Sequence, residues 1–544
     1  MFSYENKRFL IVDDQKPFHV MLKTMLTNQG AKRITFADSA ESAARLAQRK
    51  TFDIYLIDYN LGSGKNGAQL LDYLRHNQLI PKSALCFIIT GDNNKGMVLS
   101  AIEKAPDDYM MKPFSQTQLF NRLSKADQKK SALSNIFDAL NDEKYDQAIM
   151  LCKSKIETQS KFSGLCKNLL ADIYITTKAF SEAERLLSMI IEKRPLVRAC
   201  ITLGKVYCLQ HKYHQAITVL KEVLHNNPLQ MHAYQWLARA YQGDGELNKA
   251  LSILTHAANL THHSLEKHQQ VALLAHEMEE HKVIITSYQS ILQISRNSFY
   301  PDPCHLANYI RSLINFANTQ EEMFEKKTIL KKVNSTLYQS RFEEGRNKNF
   351  DFNSFDEICQ ANVFFSLGEL LKAKRRILNT LGKIQGNIED FDNTLLYESL
   401  FSLLDIGEFD YAAPYLAELE QRDIIDPSTQ LAIRQKTGNR LEQRMDNFKA
   451  YNKLGIQEFE ARNYNSALKH FNRAIEFEPL NSGALLNRIH VYILILKQNS
   501  RDQRKQHIIN CQSSFKLLSN TQLPPEHAKR YKELQAEFTE FTGR

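Results

Sequence analysis

Arg8-Phe9-Leu10-Ile11-Val12-Asp13-Asp14 sets four apolar residues in a row and closes them with two carboxylates. A short continuous apolar run bounded in this way reads as a strand buried on both faces. Similar runs follow at Ile34-Thr35-Phe36-Ala37, at Ile54-Tyr55-Leu56-Ile57, from Ala84 to Ile89, and at Asp108-Tyr109-Met110-Met111, with amphipathic helical stretches between them. Five such β/α units predict a multidomain chain that begins with a flavodoxin-like, doubly wound α/β domain. Open parallel sheets place their ligands beyond the carboxyl ends of the strands. Asp13 and Asp14 fall at that end of the first strand, Asp58 at the third, Thr90 at the fourth and Lys112 at the fifth.

Three carboxylates, a hydroxyl and an ammonium at one sheet edge suit magnesium-assisted phosphoryl transfer to a carboxylate. The reaction needs a nucleophile, oxygen ligands for a hard cation, and a positive charge for the developing anion. Asp58 is the candidate nucleophile. Taken singly, each feature has a plainer use: an Asp pair after a strand commonly caps a helix, and Lys-Pro commonly marks a turn. Their joint placement carries the reading.

IVDD, LIDYNL, IITGD and MMKPF, in this order and spacing, resemble the receiver domain of two-component response regulators. The resemblance implies a phosphoacceptor at Asp58, a direct Mg²⁺ ligand at Asp14 and a ligand acting partly through water at Asp13. The backbone carbonyl of Asn60 would complete the protein ligands. Thr90 would be the switch hydroxyl, Lys112 the active-site lysine and Tyr109 the switch aromatic. Gly91 would leave room for the phosphoryl group, and Pro113 would follow Lys112 through a cis peptide bond. A cognate sensor histidine kinase is the implied donor, and the receiver would catalyse its own phosphorylation and dephosphorylation. The loop Leu61-Gly62-Ser63-Gly64-Lys65-Asn66-Gly67 departs from the family by about one extra residue and a missing proline.

The chain has 544 residues, too many for a single core. A net charge of +9 is mild over this length, and no clustered basic tract marks a nucleic-acid site. Eight cysteines lie scattered without CxxC or Cys/His zinc spacing. The N-terminus lacks a signal-peptide pattern and no apolar run is long enough to span a membrane. A cytoplasmic protein without membrane insertion is expected.

Beyond about residue 127 the strand pattern gives way to helices and to self-similarity. Leu203, Gly204, Tyr207, Ala216, Leu220 and Pro228 recur as Leu170, Ala171, Tyr174, Ala183, Leu187 and Pro195, as Leu237, Ala238, Tyr241, Ala250 and Leu254, and as Leu454, Gly455, Ala467, Phe471, Ala474 and Pro479. A period near 34 with small residues at helix crossings resembles the tetratricopeptide repeat (TPR). Such a pair cannot bury its apolar face alone, so neighbours stack into an all-α solenoid.

The expected layout is a receiver at 1–125, a helical connector at 126–134, TPR repeats at 135–264, degenerate helical repeats at 265–440, and a C-terminal repeat with capping helices at 441–544. The stretches 297–303 and 341–354 interrupt the helical pattern. The basic run Lys372 to Arg376 reads as a solvated helix face, His262-His263 as a turn or surface pair, and Gly243-Asp244-Gly245 as an inter-helix turn. Trp236 reads as packing, with an inner groove as the alternative. In the receiver family the output face includes a fourth helix, expected at 94–105, and a fifth, expected at 115–124.

With no enzymatic or DNA-binding motif after the receiver, the expected output is protein–protein interaction in the TPR groove, with modulation of phosphotransfer to another regulator as one form. A DNA-binding transcriptional regulator is the alternative, and an enzyme concealed in 265–440 the third reading. The receiver–repeat architecture is similar to that of VieB-type regulators.

Overall fold

The computed structural model describes residues 4–62, 64–81, 83–91, 106–296, 298–299, 301–345, 347, 349–384, 387–498 and 504–542. The helix expected at 94–105 lies outside the described residues.

Five parallel strands form one sheet: β1 (Arg8–Val12), β2 (Arg33–Ala37), β3 (Ile54–Asp58), β4 (Leu85–Thr90) and β5 (Asp108–Met111), in the order β2-β1-β3-β4-β5. Side chains alternate across the sheet, as the two-residue period of a strand requires. Leu10, Val12, Tyr55, Ile57, Cys86 and Ile88 pack with residues of helices Ala40–Arg49 and Gly67–His76. Phe9, Ile11, Leu56, Phe87 and Ile89 pack with residues of helices Lys16–Thr27 and Gln116–Asn141. Strand order reverses beside β1, where Val12 pairs with Ile57. The residues after Val12 and Ile57, Asp13 and Asp58, are therefore neighbours at the switch point of the sheet.

The helix that follows β5 does not stop at the edge of this domain. Ser115 caps it in a reciprocal box with Gln118, and it runs unbroken from Gln116 to Asn141. Its first turns bury Leu119, Leu123 and Ala126 in the sheet's core. Its last turns bury Leu133, Ile136 and Ala139 against Ala148, Cys152, Cys166 and Leu170 of the next helices. Lys130 ties its middle to the strand domain through the carbonyl of Ala84 and the carboxylate of Asp107.

Twenty-one further α-helices follow among the described residues. Successive pairs share one turn. Glu143, Lys178, His211, Gly245 and Glu279 each take a positive φ, and the next N–H in each case reaches back five residues, as from Ala179 to Tyr174 and from Lys212 to Tyr207. This is the Schellman closure of a helix. Gly204 sits where a Cβ would lie 2.6 Å from Leu220, and Gly455 where one would lie 2.6 Å from Phe471. The small residues of the repeating pattern thus mark real helix crossings. Helices Phe180–Lys193, Tyr213–Asn226 and Tyr464–Phe477 end just before Pro195, Pro228 and Pro479.

The chain divides into two compact units, one of Met1–Val283 with Gln289–Pro301, the other of Ile284–Tyr288 with Asp302–Arg544. In the first, Phe299 stacks on Tyr73 at a centroid distance of 4.4 Å, so the interruption expected at 297–303 contributes a packing residue to the strand domain. The second unit corrects the reading of Lys372 to Arg376. Lys374 is fully buried, 2.8 Å from Glu408 Oε1 and 2.9 Å from Ser482 Oγ, and also donates to the carbonyl of Leu480. Arg375 donates to the carbonyl of Ser519 at 2.8 Å. Within the interruption expected at 341–354, one helix ends at Glu344 and the next begins at Phe352. No described helix is long and apolar enough to cross a membrane.

Candidate functional site

Strand register delivers the site. Ile89 pairs with Asp58 and Thr90 with Met111, so Thr90 stands one step beyond Asp58 and Lys112 one step beyond Thr90's partner. The Lys112 N–H donates to the carbonyl of Thr90 at 2.7 Å, which extends the ladder to the site's edge. The Lys112–Pro113 peptide bond is cis. Lys112 Nζ donates to Asp13 Oδ2 at 2.6 Å and to Asp58 Oδ2 at 2.7 Å.

Asp13, Asp58 and Thr90 are buried, while Asp14 is exposed beside them. Asp13, Asp14 and Asp58 each offer an oxygen within 4.8 Å of the others. Asp13 Oδ1 accepts from the Gln15 N–H at 2.8 Å, and Asp58 Oδ1 from the Asn60 N–H at 3.3 Å. Burial pushes the Asp58 carboxyl up to about 6, against the downward pull of the Lys112 ammonium. Gly91 lies beside this cluster, and among the described residues a Cβ there would meet only Lys112 Cδ, at 4.0 Å.

Tyr109 is half-buried against the core face that carries Tyr55 and Ile57. Its main-chain oxygen accepts from Arg122 at 2.9 Å, which fastens β5 to the long helix Gln116–Asn141. The structure therefore gathers Asp13, Asp14, Asp58, Thr90 and Lys112 at one edge, with Asn60, Gly91 and Pro113 beside them and Tyr109 back along β5.

Residues 9–124 match the family model described as the response regulator receiver domain. This segment is a receiver domain. Over 119 residues the chain is 31% identical to the transcriptional regulatory protein YvrH of Bacillus subtilis, covering 22% of this chain and 48% of that protein. The chain thus spans about half the length of that relative. Over 121 residues it is 26% identical to the chemotaxis protein CheY-3 of Vibrio cholerae, covering 22% of this chain and 92% of that one. Among solved structures, a CheY-like receiver from Methanospirillum hungatei shares 22% identity, covering 23% of this chain and 96% of that chain, with a TM-score of 0.21. MamA from Desulfovibrio magneticus shares 20%, covering 32% of this chain and 98% of that one, with a TM-score of 0.28.

Three contributors to the receiver site escape sequence reasoning. Phe18 lies with its ring centroid 3.8 Å from Lys112 Nζ and packs edge-on with Phe114. It walls one side of the ammonium and favours its charge; the signal was an aromatic just inside the helix that follows the aspartate pair. Gly67 abuts the backbone of Asp58: a Cβ there would lie 2.0 Å from the Asp58 carbonyl oxygen. Gly62, at φ +79°, turns the loop close to Asp14 Oδ2. In the second unit the structure also brings Cys304, His305 and Asp426 within 4.8 Å of one another, a grouping that cysteine spacing did not reveal. There Asp426 Oδ2 already accepts from Asn308 and from the Thr429 N–H and hydroxyl, as the cap of helix Pro427–Thr437.

Proposed function

We propose that the chain is a two-component response regulator that takes a phosphoryl group on Asp58 from a sensor histidine kinase. Its paired helices, read as TPR repeats, then signal by holding protein partners. The observation that carries the reading is Lys112 bonded at once to Asp13 and Asp58, at 2.6 and 2.7 Å, in a pocket that also offers Asp14 and Thr90.

In this reading the Asp58 carboxylate attacks phosphorus in line. The donor's P–N bond breaks as the O–P bond forms, and the imidazole leaves with the electron pair. Lys112 balances the charge gathering on the phosphoryl oxygens. The Thr90 hydroxyl lies at the carboxyl end of the neighbouring strand, placed to donate to one of those oxygens. Gly91, which carries no side chain, would leave room for the group. Asp13, Asp14, Asp58 and the Asn60 carbonyl would hold Mg²⁺, whose charge would neutralise and orient the phosphoryl oxygens. The oxygen-only donor set within 4.8 Å fits that hard cation.

The switch is a shift between two populated conformations. Movement of Thr90 toward the phosphoryl group would free Tyr109 to turn inward. The Arg122 bond to Tyr109's carbonyl and the continuous helix Gln116–Asn141 link that strand to the first helical pair. Limiting phosphotransfer to another regulator held on the array is one form the output would take.

Incubation with acetyl phosphate and Mg²⁺, read by intact mass, tests the first step. The native chain should gain one phosphoryl group and Asp58→Asn none. Equal uptake by both removes Asp58 from the role. Partner sets captured with a phosphoryl-mimicking ligand and with Asp58→Ala then test gating, and identical sets exclude it.

A further inference from the structure

Ser163–Thr176, Val197–Leu209 and Met231–Gly243 are the first helices of successive pairs. Leaving His232 aside, their charged residues are Lys167, Asp172, Arg198, Lys205 and Arg239: four cations against one acid. That acid is already used, since Arg198 pairs with Asp172 at 3.2 Å across the first two helices. Arg198 and Lys205 are seven residues apart and so share a helix face, as do Trp236 and Arg239 at a spacing of three.

Trp236 is the chain's single tryptophan. It is half-buried, with part of its ring on the core that holds Leu237 and Leu254. Lys205 Nζ lies 5.5 Å from the ring centroid and Arg239 Cζ 5.2 Å from it. Neither cation has a carboxylate partner among the described residues. Two like charges held over one ring repel each other, and attraction to the ring's face offsets this only weakly at an exposed site. An anion entering between them would relieve the repulsion, and an apolar group would cover the rest of the indole.

We infer that this face docks an acidic segment of a protein partner, with carboxylates paired to Lys205 and Arg239 around an apolar side chain laid on Trp236. The inference rests on the reading that the helical pairs are the output, and it names the chemistry of what they hold. Charge complementarity selects the occupant. Two cations over one aromatic, neither with a carboxylate partner among the described residues, match a short acidic stretch, whereas nucleic acid is gripped by a longer run of phosphate contacts.

Because Trp236 is the only indole, its fluorescence reports on this face alone. The full-length chain would be titrated, without any phosphodonor, with a short synthetic peptide of Asp and Glu around a central Leu. A saturable emission change that weakens with salt is expected. Lys205→Glu and Arg239→Glu should each weaken it roughly ten-fold or more. Lys153→Glu, on an exposed residue of helix Tyr145–Glu157, should leave it unchanged. Absence of an emission change, equal binding of a Lys-based peptide, indifference to both charge reversals, or tighter binding of a thymidine oligonucleotide would each overturn the proposal. Phosphoryl uptake on Asp58 is measured separately by mass, so failure of either reading leaves the other readable.

Discussion

A Cβ placed on Gly67 would lie 2.0 Å from the main-chain oxygen of Asp58 and 2.9 Å from Ile57 Cγ2. The obstacle is backbone, which cannot rotate aside as a flexible side chain can. Asn66 caps the helix that begins at Gly67, and the Gly67 N–H donates to the Tyr59 carbonyl at 2.8 Å. The loop is therefore held at both ends. Gly67→Ala is expected to cost about 1–3 kcal/mol by overpacking and to slow phosphoryl uptake, because Asp58 must shift. Urea unfolding and the rate of mass gain from acetyl phosphate check the two effects. Full stability with normal uptake would show that the contact yields without cost.

Asp58 gives a prediction with a definite sign. Its carboxyl is raised from 3.8 to about 6 by burial, so between these values the native state holds a proton that the unfolded chain has released. Its contribution to stability is fully present below about pH 4 and is lost as pH rises through about 6. The whole swing is about 3 kcal/mol at most. Asp58→Asn removes the buried charge, so it should stabilise the chain at neutral pH and flatten this part of the pH profile. Urea midpoints of both proteins across the window check it; parallel profiles would contradict the assignment.

Much of the receiver was legible because its chemistry sits where apolar runs stop, and a run's end is visible one residue at a time. Asp13, Asp58, Thr90 and Lys112 needed only the strand pattern. Gly67 and Phe18 were not legible because their importance lies in contacts with Asp58 and Lys112 that depend on loop path and helix rotation. Lys374 was misread for a related reason. Its neighbours in sequence are charged, but its partners Glu408 and Ser482 lie far along the chain, and no local pattern shows that a helix will turn this one cation inward.

Lys374 and Glu408 form an ion pair at 2.8 Å with essentially no solvent contact on either side chain. Glu408 Oε1 also accepts from the Ser482 N–H at 3.0 Å and from its hydroxyl. Lys374→Met leaves a buried carboxylate without its cation and should cost about 3–5 kcal/mol. The double variant Lys374→Met, Glu408→Gln should recover part of that loss, since the amide oxygen still accepts from Ser482 and no charge remains. Denaturant unfolding followed by helical signal measures both. A double variant as unstable as the single would assign the loss to shape rather than to charge.

Gly204 and Gly164 separate two uses of glycine on neighbouring helices. At Gly204 a Cβ would lie 2.6–3.0 Å from three atoms of Leu220, whereas at Gly164 nothing among the described residues lies within 4 Å. Gly204 lies in a helix interior and Gly164 in the first turn of its helix, so alanine carries an intrinsic advantage of up to about 1 kcal/mol at the first and a smaller one at the second. At Gly164 that advantage stands alone and the alanine variant should be stabilised. At Gly204 the crossing must open, and a net loss of about 1–3 kcal/mol is expected. The same sign from both substitutions would mean that Leu220 moves aside freely. Opposite signs would show that close approach of paired helices, and not turn geometry, explains glycine at this place in the repeating pattern.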